Sequence, residues 1–437
     1  MLKDRWDLDI ATDNPAAIEG LNTFDTSFLT YGTTAGAIWD AARADPACVM
    51  AQAKAAALEM FLQTGESITK AQLWLRNADP HLAKTTERER LWHAQVSAWV
   101  AGDVETAIAL TEEIATRWPQ DLAAVKMTQF HMFHVGDLAG MLRIAEFALP
   151  HHRDAAEMHG MLAFGLEEMN RLDEAETAAR QAIALKRCEP WAHHALAHVM
   201  ETQGRCAEGL ETMLGFADCW TDKNSFMRSH NWWHTALFAI DADRPDEALR
   251  LYDEQVWGVW KEYSQDQVNA VALLARLEFA GLEIGARWQD VADYIEKRGP
   301  EHVEPFLDAH YLLALSRAGR EAAAQELLRS LRDYVAGQPE QLTTRIWRMV
   351  GLPLAEGTAA YGRGDWRQVY EKLPRALEGL QQIGGSHAQR DLFWQLWLQA
   401  GAKAGEKAAI KPYLERRLQE RPGVAKHRRE LSQLLRV

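Results

Sequence analysis

The prolines set the rhythm of this chain. Pro46, Pro80, Pro119, Pro150 and Pro190 follow one another at intervals of 34, 39, 31 and 40 residues. Proline cannot continue a helix, because it lacks the N–H and its ring clashes with the preceding turn. Between the prolines the apolar residues recur at helical spacing. In 155–190, Met158, Met161, Leu162 and Leu166 fall on one helical face, 170–175 is the turn, and 175–187 is a second helical stretch with small residues on one side. The same turn signature, a residue tolerant of a tight turn followed five positions later by a small one, recurs at Gly102–Ala107, Asn170–Ala175, Gly204–Gly209 and Asp243–Ala248. No segment sustains strand alternation. A recurring helix–turn–helix unit of about 34 residues therefore predicts an all-α chain without a sheet.

Composition agrees. The chain has 437 residues, 47% hydrophobic and 25% charged, with 28 Gly and 14 Pro, which excludes wholesale disorder and a loop-rich β protein. The net charge of −14 argues against a nucleic-acid or anionic-membrane binder, whose affinity rests on Lys and Arg. Cys48, Cys188, Cys206 and Cys219 form no CxxC pair and read as reduced thiols. The N-terminus has no apolar h-region, and no apolar run is long enough to span a bilayer. A cytoplasmic location is expected. With no linker in the sequence, the chain reads as one domain, 1–437, with an N-terminal capping segment at 1–34 and C-terminal capping helices at 403–437. Most of the 17 tryptophans lie in helical periods and are expected to pack between helices.

The segments 45–50 (DPACVM), 164–168 (FGLEE), 192–201 (AHHALAHVME), 229–238 (SHNWWHTALF), 287–291 (RWQDV), 308–312 (DAHYL), 350–354 (VGLPL) and 384–391 (GGSHAQRD) resemble, in order and content, the tetratricopeptide repeat protein 38 family and its bacterial relatives. The resemblance spans nearly the whole chain. It implies a tetratricopeptide-like helical-hairpin solenoid, a superhelix whose first helices line a concave groove. It implies no particular activity.

The familiar nucleotide, hydrolase and zinc-protease motifs are absent. Histidine is the informative residue. Sixteen histidines should give roughly 0.6 pairs at i,i+4 by chance. Two occur, His194/His198 and His230/His234, each pair on one helical face. They are 36 residues apart, so they fall on the first helices of consecutive hairpins. In the frame fixed by Ala175, Gly209 and Ala248, the resemblance places His194, His198, Glu201 and His230 toward the groove, with His234 at its border. Imidazoles and a carboxylate from facing helices suit a divalent metal such as zinc, iron or manganese. Such a metal should release below about pH 6.5, where ordinary imidazole protonates. A metal-free polar ligand site and purely structural histidines are the other readings.

Trp92, Phe130, His134, Phe164, Glu167 and Trp233 are candidate ligand-binding residues, and Trp92, Trp99, Phe130, Phe133 and Phe164 would make an aromatic wall beside the histidines. Ser386 and Gln389 read as a capping box. Arg390 and Asp391 follow them and are candidates either for anchoring an anion or for a structural ion pair. Asp308 and His310, two apart on a helix, cannot share a face. The leading functional expectation is a small molecule or peptide held in a His-rich, aromatic-walled concave pocket, without nucleic acid or membrane, in a chain that could form homo-oligomers. A second is a hydrolase or lyase in which His194, His198 and Glu201 are catalytic, through a metal or as general bases. A third is a pure protein–protein scaffold.

Overall fold

The computed structural model describes residues 1–424; the remainder of the expected C-terminal cap, 425–437, lies outside the described residues. The chain is an all-α helical-hairpin solenoid in class. Its contacts divide it into two compact units. The first holds 1–192 with 222–224 and 341–343, and the second holds 193–221, 225–340 and 344–424.

The first unit contains α1 (Pro15–Thr30), α2 (Ala37–Ala44), α3 (Val49–Phe61), α4 (Gly65–Ala78), α5 (Glu87–Val100), α6 (Val104–Arg117), α7 (Leu122–Val135), α8 (Leu138–Ala148), α9 (Ala156–Glu168) and α10 (Leu172–Leu185). Each packs on its successor as an antiparallel hairpin, and first helices meet the next first helix, α3 against α5. Asp103, Asp121 and Asp137 cap α6, α7 and α8 with side-chain carboxylates, and Thr64 and Thr86 make capping boxes on α4 and α5. One departure from the expected helices is a small antiparallel pair, β1 (Leu2–Lys3) and β2 (Asp9–Ile10). Asp4 makes it: its carboxylate accepts from the N–H groups of Trp6 and Leu8 at 2.9 and 3.1 Å and closes the turn.

Helix α11 (Pro190–Thr202) runs on into the second unit, which also holds α12 (Cys206–Gly215), α13 (Ser225–Asp241), α14 (Pro245–Leu251), α15 (Ser264–Phe279), α16 (Arg287–Arg298), α17 (Pro305–Arg317) and α18 (Glu321–Gly337). After the short α19 (Leu342–Ile346) come α20 (Leu352–Arg363), α21 (Trp366–Leu377), α22 (His387–Lys403) and α23 (Lys407–Glu420). Here α13 packs on α15, α15 on α17 and α22, and α17 on α20.

The four signature turns share one conformation. Gly102, Asn170, Gly204 and Asp243 have φ of 77°, 59°, 68° and 66°. This left-handed residue ends the first helix, and glycine or Asn/Asp carries it at least cost. The small residue five positions on is where the paired helices cross. Ala107, Ala175 and Ala248 are fully buried, and a Cβ on Gly209 would lie 2.3 Å from Phe238 Cε1.

Trp92, Trp220 and Trp233 are core residues, as the helical spacing of most tryptophans predicts. Two of the cysteines correct the expectation of four reduced thiols: Cys188 and Cys219 are each disulfide-bonded. Cys48 and Cys206 are free and buried, and burial pushes the Cys48 thiol up to about 12, so it is inert. Among the described residues, no helix is long and apolar enough to cross a membrane.

Candidate functional site

The second unit brings the two histidine pairs together. α11 presents His194 and His198 one turn apart, and α13 does the same with His230 and His234. Nε2 of His194 lies 3.0 Å from Nε2 of His198 and 3.1 Å from Nε2 of His230. The His234 ring centroid is 4.6–5.0 Å from the other three. One ligand nitrogen from each of the four lies within 4.8 Å of the others. Glu201, one turn beyond His198, places Oε2 3.5 Å from Nδ1 of His234. The cluster does not line an open groove, as the repeat frame implied, because the four histidines are only 0–2% exposed.

Burial dominates the electrostatics. It pulls the imidazolium form of His230 down to about 3 and those of His194 and His234 well below the ordinary value. Each neighbouring imidazole adds to that effect. Three rings are therefore neutral across the physiological range, which is the form that donates a lone pair to a metal. The same burial raises the Glu201 carboxyl.

A chain of hydrogen bonds sets the tautomer of His230. Ser229 Oγ donates to Asp266 Oδ1 at 2.8 Å. Asn269 Nδ2 donates to Ser229 Oγ at 3.1 Å, which turns Asn269 Oδ1 toward His230. His230 Nδ1–H donates to that oxygen at 2.9 Å. The proton is on Nδ1, so the lone pair is on Nε2, aimed at His194. Neutral imidazoles then cannot give each N···N contact its own proton. A proton on His194 Nε2 must be shared between His230 and His198, and without one the lone pairs of His194 and His230 face each other at 3.1 Å. A cation accepting all three lone pairs removes the conflict. A tetrahedral zinc with bonds of about 2.0–2.1 Å separates its ligand nitrogens by about 3.3 Å, close to what is observed. His234 supplies a fourth donor. It is fully buried, and the polar atom facing its Nδ1 is Oε2 of Glu201 at 3.5 Å.

Trp233 stacks on His230 at 5.3 Å with the rings 8° apart, and Arg276 lies 5.2 Å over Trp233. Arg390 donates to the carbonyl of Gly385, and Ser386 and Gln389 make the expected capping box. Asp391 is ion-paired with Arg417 on α23. Burial alone would raise its carboxyl, but Arg417, with Arg276 and Arg421 behind it, holds it below the usual carboxylate range. A small polar cavity of about 20 Å³ lies among Glu201, Asp241, Arg276, Asp391, Arg417 and Arg421. It has room for about one water. Asp308 and His310 are both buried, and His310 donates from Nδ1 to the Phe306 carbonyl at 2.7 Å.

The other candidates belong to the first unit. Trp92 sits in a buried ionic cluster, where its indole N–H donates to Asp121 at 3.1 Å, and Arg88 pairs with the same carboxylate. Trp99 takes the wall position instead. It meets Phe130 and Phe61 at 5.3 Å, and His134 lies 4.0 Å from Phe130. Phe164 bridges Phe133 and Trp191 at 5.4 and 4.8 Å. Glu167 is fully buried on α9. Asn269 and Asp266 were not legible, since no spacing rule connects a helix to residues about 40 positions away, whereas Ser229 stood beside His230 in the 229–238 segment. His387, whose ring is 5.6 Å from His198, stood in the GGSHAQRD segment and could have been named.

No protein-family model matches the chain. Solved structures with a similar course include the human IFIT1 dimer with PPP-AAAA, at a TM-score of 0.41 and 10% identity over 99% of this chain and 96% of that one. The human IFIT1 dimer with m7Gppp-AAAA scores 0.39 at 12% identity, over 99% and 96%. The Naa15/Naa10 complex bound to HypK-THB scores 0.26 at 14% identity, over 80% of this chain and 55% of that one. At these scores none of the site residues is placed by the likeness. The exclusion of nucleic acid on net charge is nonetheless corrected, since chains of similar course are solved with PPP-AAAA and m7Gppp-AAAA. The physical reason is that the net charge of −14 is a sum over the whole chain and does not set the charge of any one surface.

Proposed function

We propose that this is a metal-binding helical-repeat protein in which His194, His198, His230 and His234 hold one divalent transition-metal ion of the zinc class. The observation that carries it is the approach of the His198 and His230 Nε2 atoms to that of His194, at 3.0 and 3.1 Å, with the His230 lone pair fixed inward by Asn269. An all-imidazole set favours zinc over manganese, which prefers carboxylate and water. Four protein donors close a tetrahedral site, so the ion is structural and ties α11 to α13. Glu201 is then the acceptor that orients His234 and not a general base. This support runs against a hydrolase or lyase at the cluster, as does the cavity beside Glu201, far below the few hundred Å³ of a substrate site.

The half-exposed aromatics of the first unit favour a second, separate reading, in which Phe61, Trp99, Phe130 and Phe133 accept the apolar body of a small molecule or peptide. Quenching or shift of Trp99 emission, lost in Trp99→Phe, tests it. Membership of the tetratricopeptide repeat protein 38 family, a single solenoid capped at 1–34 and 403–437, and a cytoplasmic location belong to the same proposal. Disulfides are rare in the cytosol, so thiol counting of Cys188 and Cys219 in protein taken rapidly from cells tests the location.

Elemental analysis of purified protein tests the metal. The expected result is close to one equivalent of zinc per chain, lost in His194→Ala/His230→Ala with the helical spectrum retained. A metal-free parent after growth in zinc-replete medium, or unchanged metal in the double variant, overturns the reading.

A further inference from the structure

A second constellation lies in the same unit, on residues that the metal site does not use. The loop from α16 to α17 carries His302. Its Nδ1 is 2.6 Å from Oδ2 of Asp308, and its Nε2 is 2.9 Å from Oγ of Ser330. We infer that Ser330 is a nucleophile activated by His302 as general base, with Asp308 as the positioning residue, and that it is acylated by activated esters.

The assignment rests on geometry. A serine, an imidazole and a carboxylate in series, with the carboxylate on Nδ1 and the hydroxyl on Nε2, is the arrangement that turns a weak hydroxyl into an attacking one. The fold holds each part in place. Asp308 is 2% exposed in the first turn of α17, where the helix N-terminus favours a negative charge. His302 is 6% exposed, with φ of 50°, a left-handed conformation that costs a non-glycine residue energy. Ser330 stands on α18 at the half-exposed edge, so the hydroxyl is the member that an incoming molecule can reach. Tyr334, one turn on, packs 5.2 Å from His302, and Trp347 closes the other side 5.7 Å from Tyr334. These rings give an acyl chain an apolar surface.

In the step, Ser330 Oγ bonds to the acyl carbon, its proton passes to His302 Nε2, and the leaving alkoxide or phenolate takes that proton as the carbon–oxygen bond breaks. Water later repeats the sequence and frees the acid. Ser330 lies inside a helix, whose N–H groups are committed to carbonyls four residues back. The helix therefore supplies no oxyanion donors, which slows both steps, and the acyl-serine forms faster than it hydrolyses because an activated ester carries a better leaving group than the serine ester it makes.

The test is labelling of the full chain with a fluorophosphonate probe, followed by peptide mass spectrometry. Fluoride leaves as the Ser330–phosphorus bond forms. The expected result is one adduct on Ser330, absent in Ser330→Ala and about 10²-fold slower in His302→Ala. Asp308→Asn, which preserves shape, should slow labelling and alter its pH profile while the helical spectrum stays. No adduct, an adduct elsewhere, or labelling of Ser330 at an unchanged rate in both His302→Ala and Asp308→Asn overturns the inference and leaves His302 as a loop anchor.

Discussion

Oδ1 of Asn269 lies 2.9 Å from Nδ1 of His230, and that contact decides which face of the imidazole carries the lone pair. On the proposed zinc site, Asn269→Ala should therefore weaken zinc binding about 10–100-fold without removing a ligand. Competition against a chelator of known affinity measures this. Affinity equal to the parent's would mean that the tautomer is set elsewhere.

Lys54 and Asp25 form an ion pair at 2.6 Å, each side chain 1% exposed. Lys54→Met strands a buried carboxylate and should cost about 3–5 kcal/mol in urea unfolding. Adding Asp25→Leu should restore most of it. A single variant as stable as the parent would show that Asp25 is already neutral, the direction in which burial pushes it.

Burial holds His131 neutral down to about 3 and His310 down to about 4. In the unfolded chain both protonate near 6.5. Between those values the unfolded state binds more protons, so stability is full above about 6.5 and falls as the pH drops below it. Each histidine contributes a slope of about 1.4 kcal/mol per pH unit. His131→Gln should flatten the curve by that amount between about pH 6 and 4, measured as urea midpoints. An unchanged slope would place His131 outside the acid-sensitive set.

Gly209→Ala puts a methyl where the Phe238 ring already stands. It should cost about 1–3 kcal/mol, although alanine favours helices. A thermal melt equal to the parent's would show that Phe238 can step aside.

The hairpins were legible because proline and turn residues act locally. Gly102, Asn170, Gly204 and Asp243 announce their own conformation, and Ser386 with Gln389 announces a cap. The joining of the histidine pairs was legible for the same reason, since i,i+4 spacing fixes a face and one repeat fixes a neighbour. Burial was not. Nothing in 192–201 or 229–238 says that the shared face is shut from water, because that depends on which helices cover it. Trp92 and Trp99, seven apart on α5, share a face, yet one meets Asp121 and the other Phe130. Choosing between them needs the partner helix. Asn269 and Ser330 are common residue types in unremarkable helices, and only their partners give them meaning.

The turn residues have a kinetic consequence. Each hairpin is closed by a single left-handed position, and in the first unit helices touch chiefly those next along the chain. Such a topology has low contact order, so structure can nucleate at any hairpin and spread by docking one neighbour at a time. Amide exchange in that unit should then be graded along the sequence, slowest in the middle hairpins, instead of uniform.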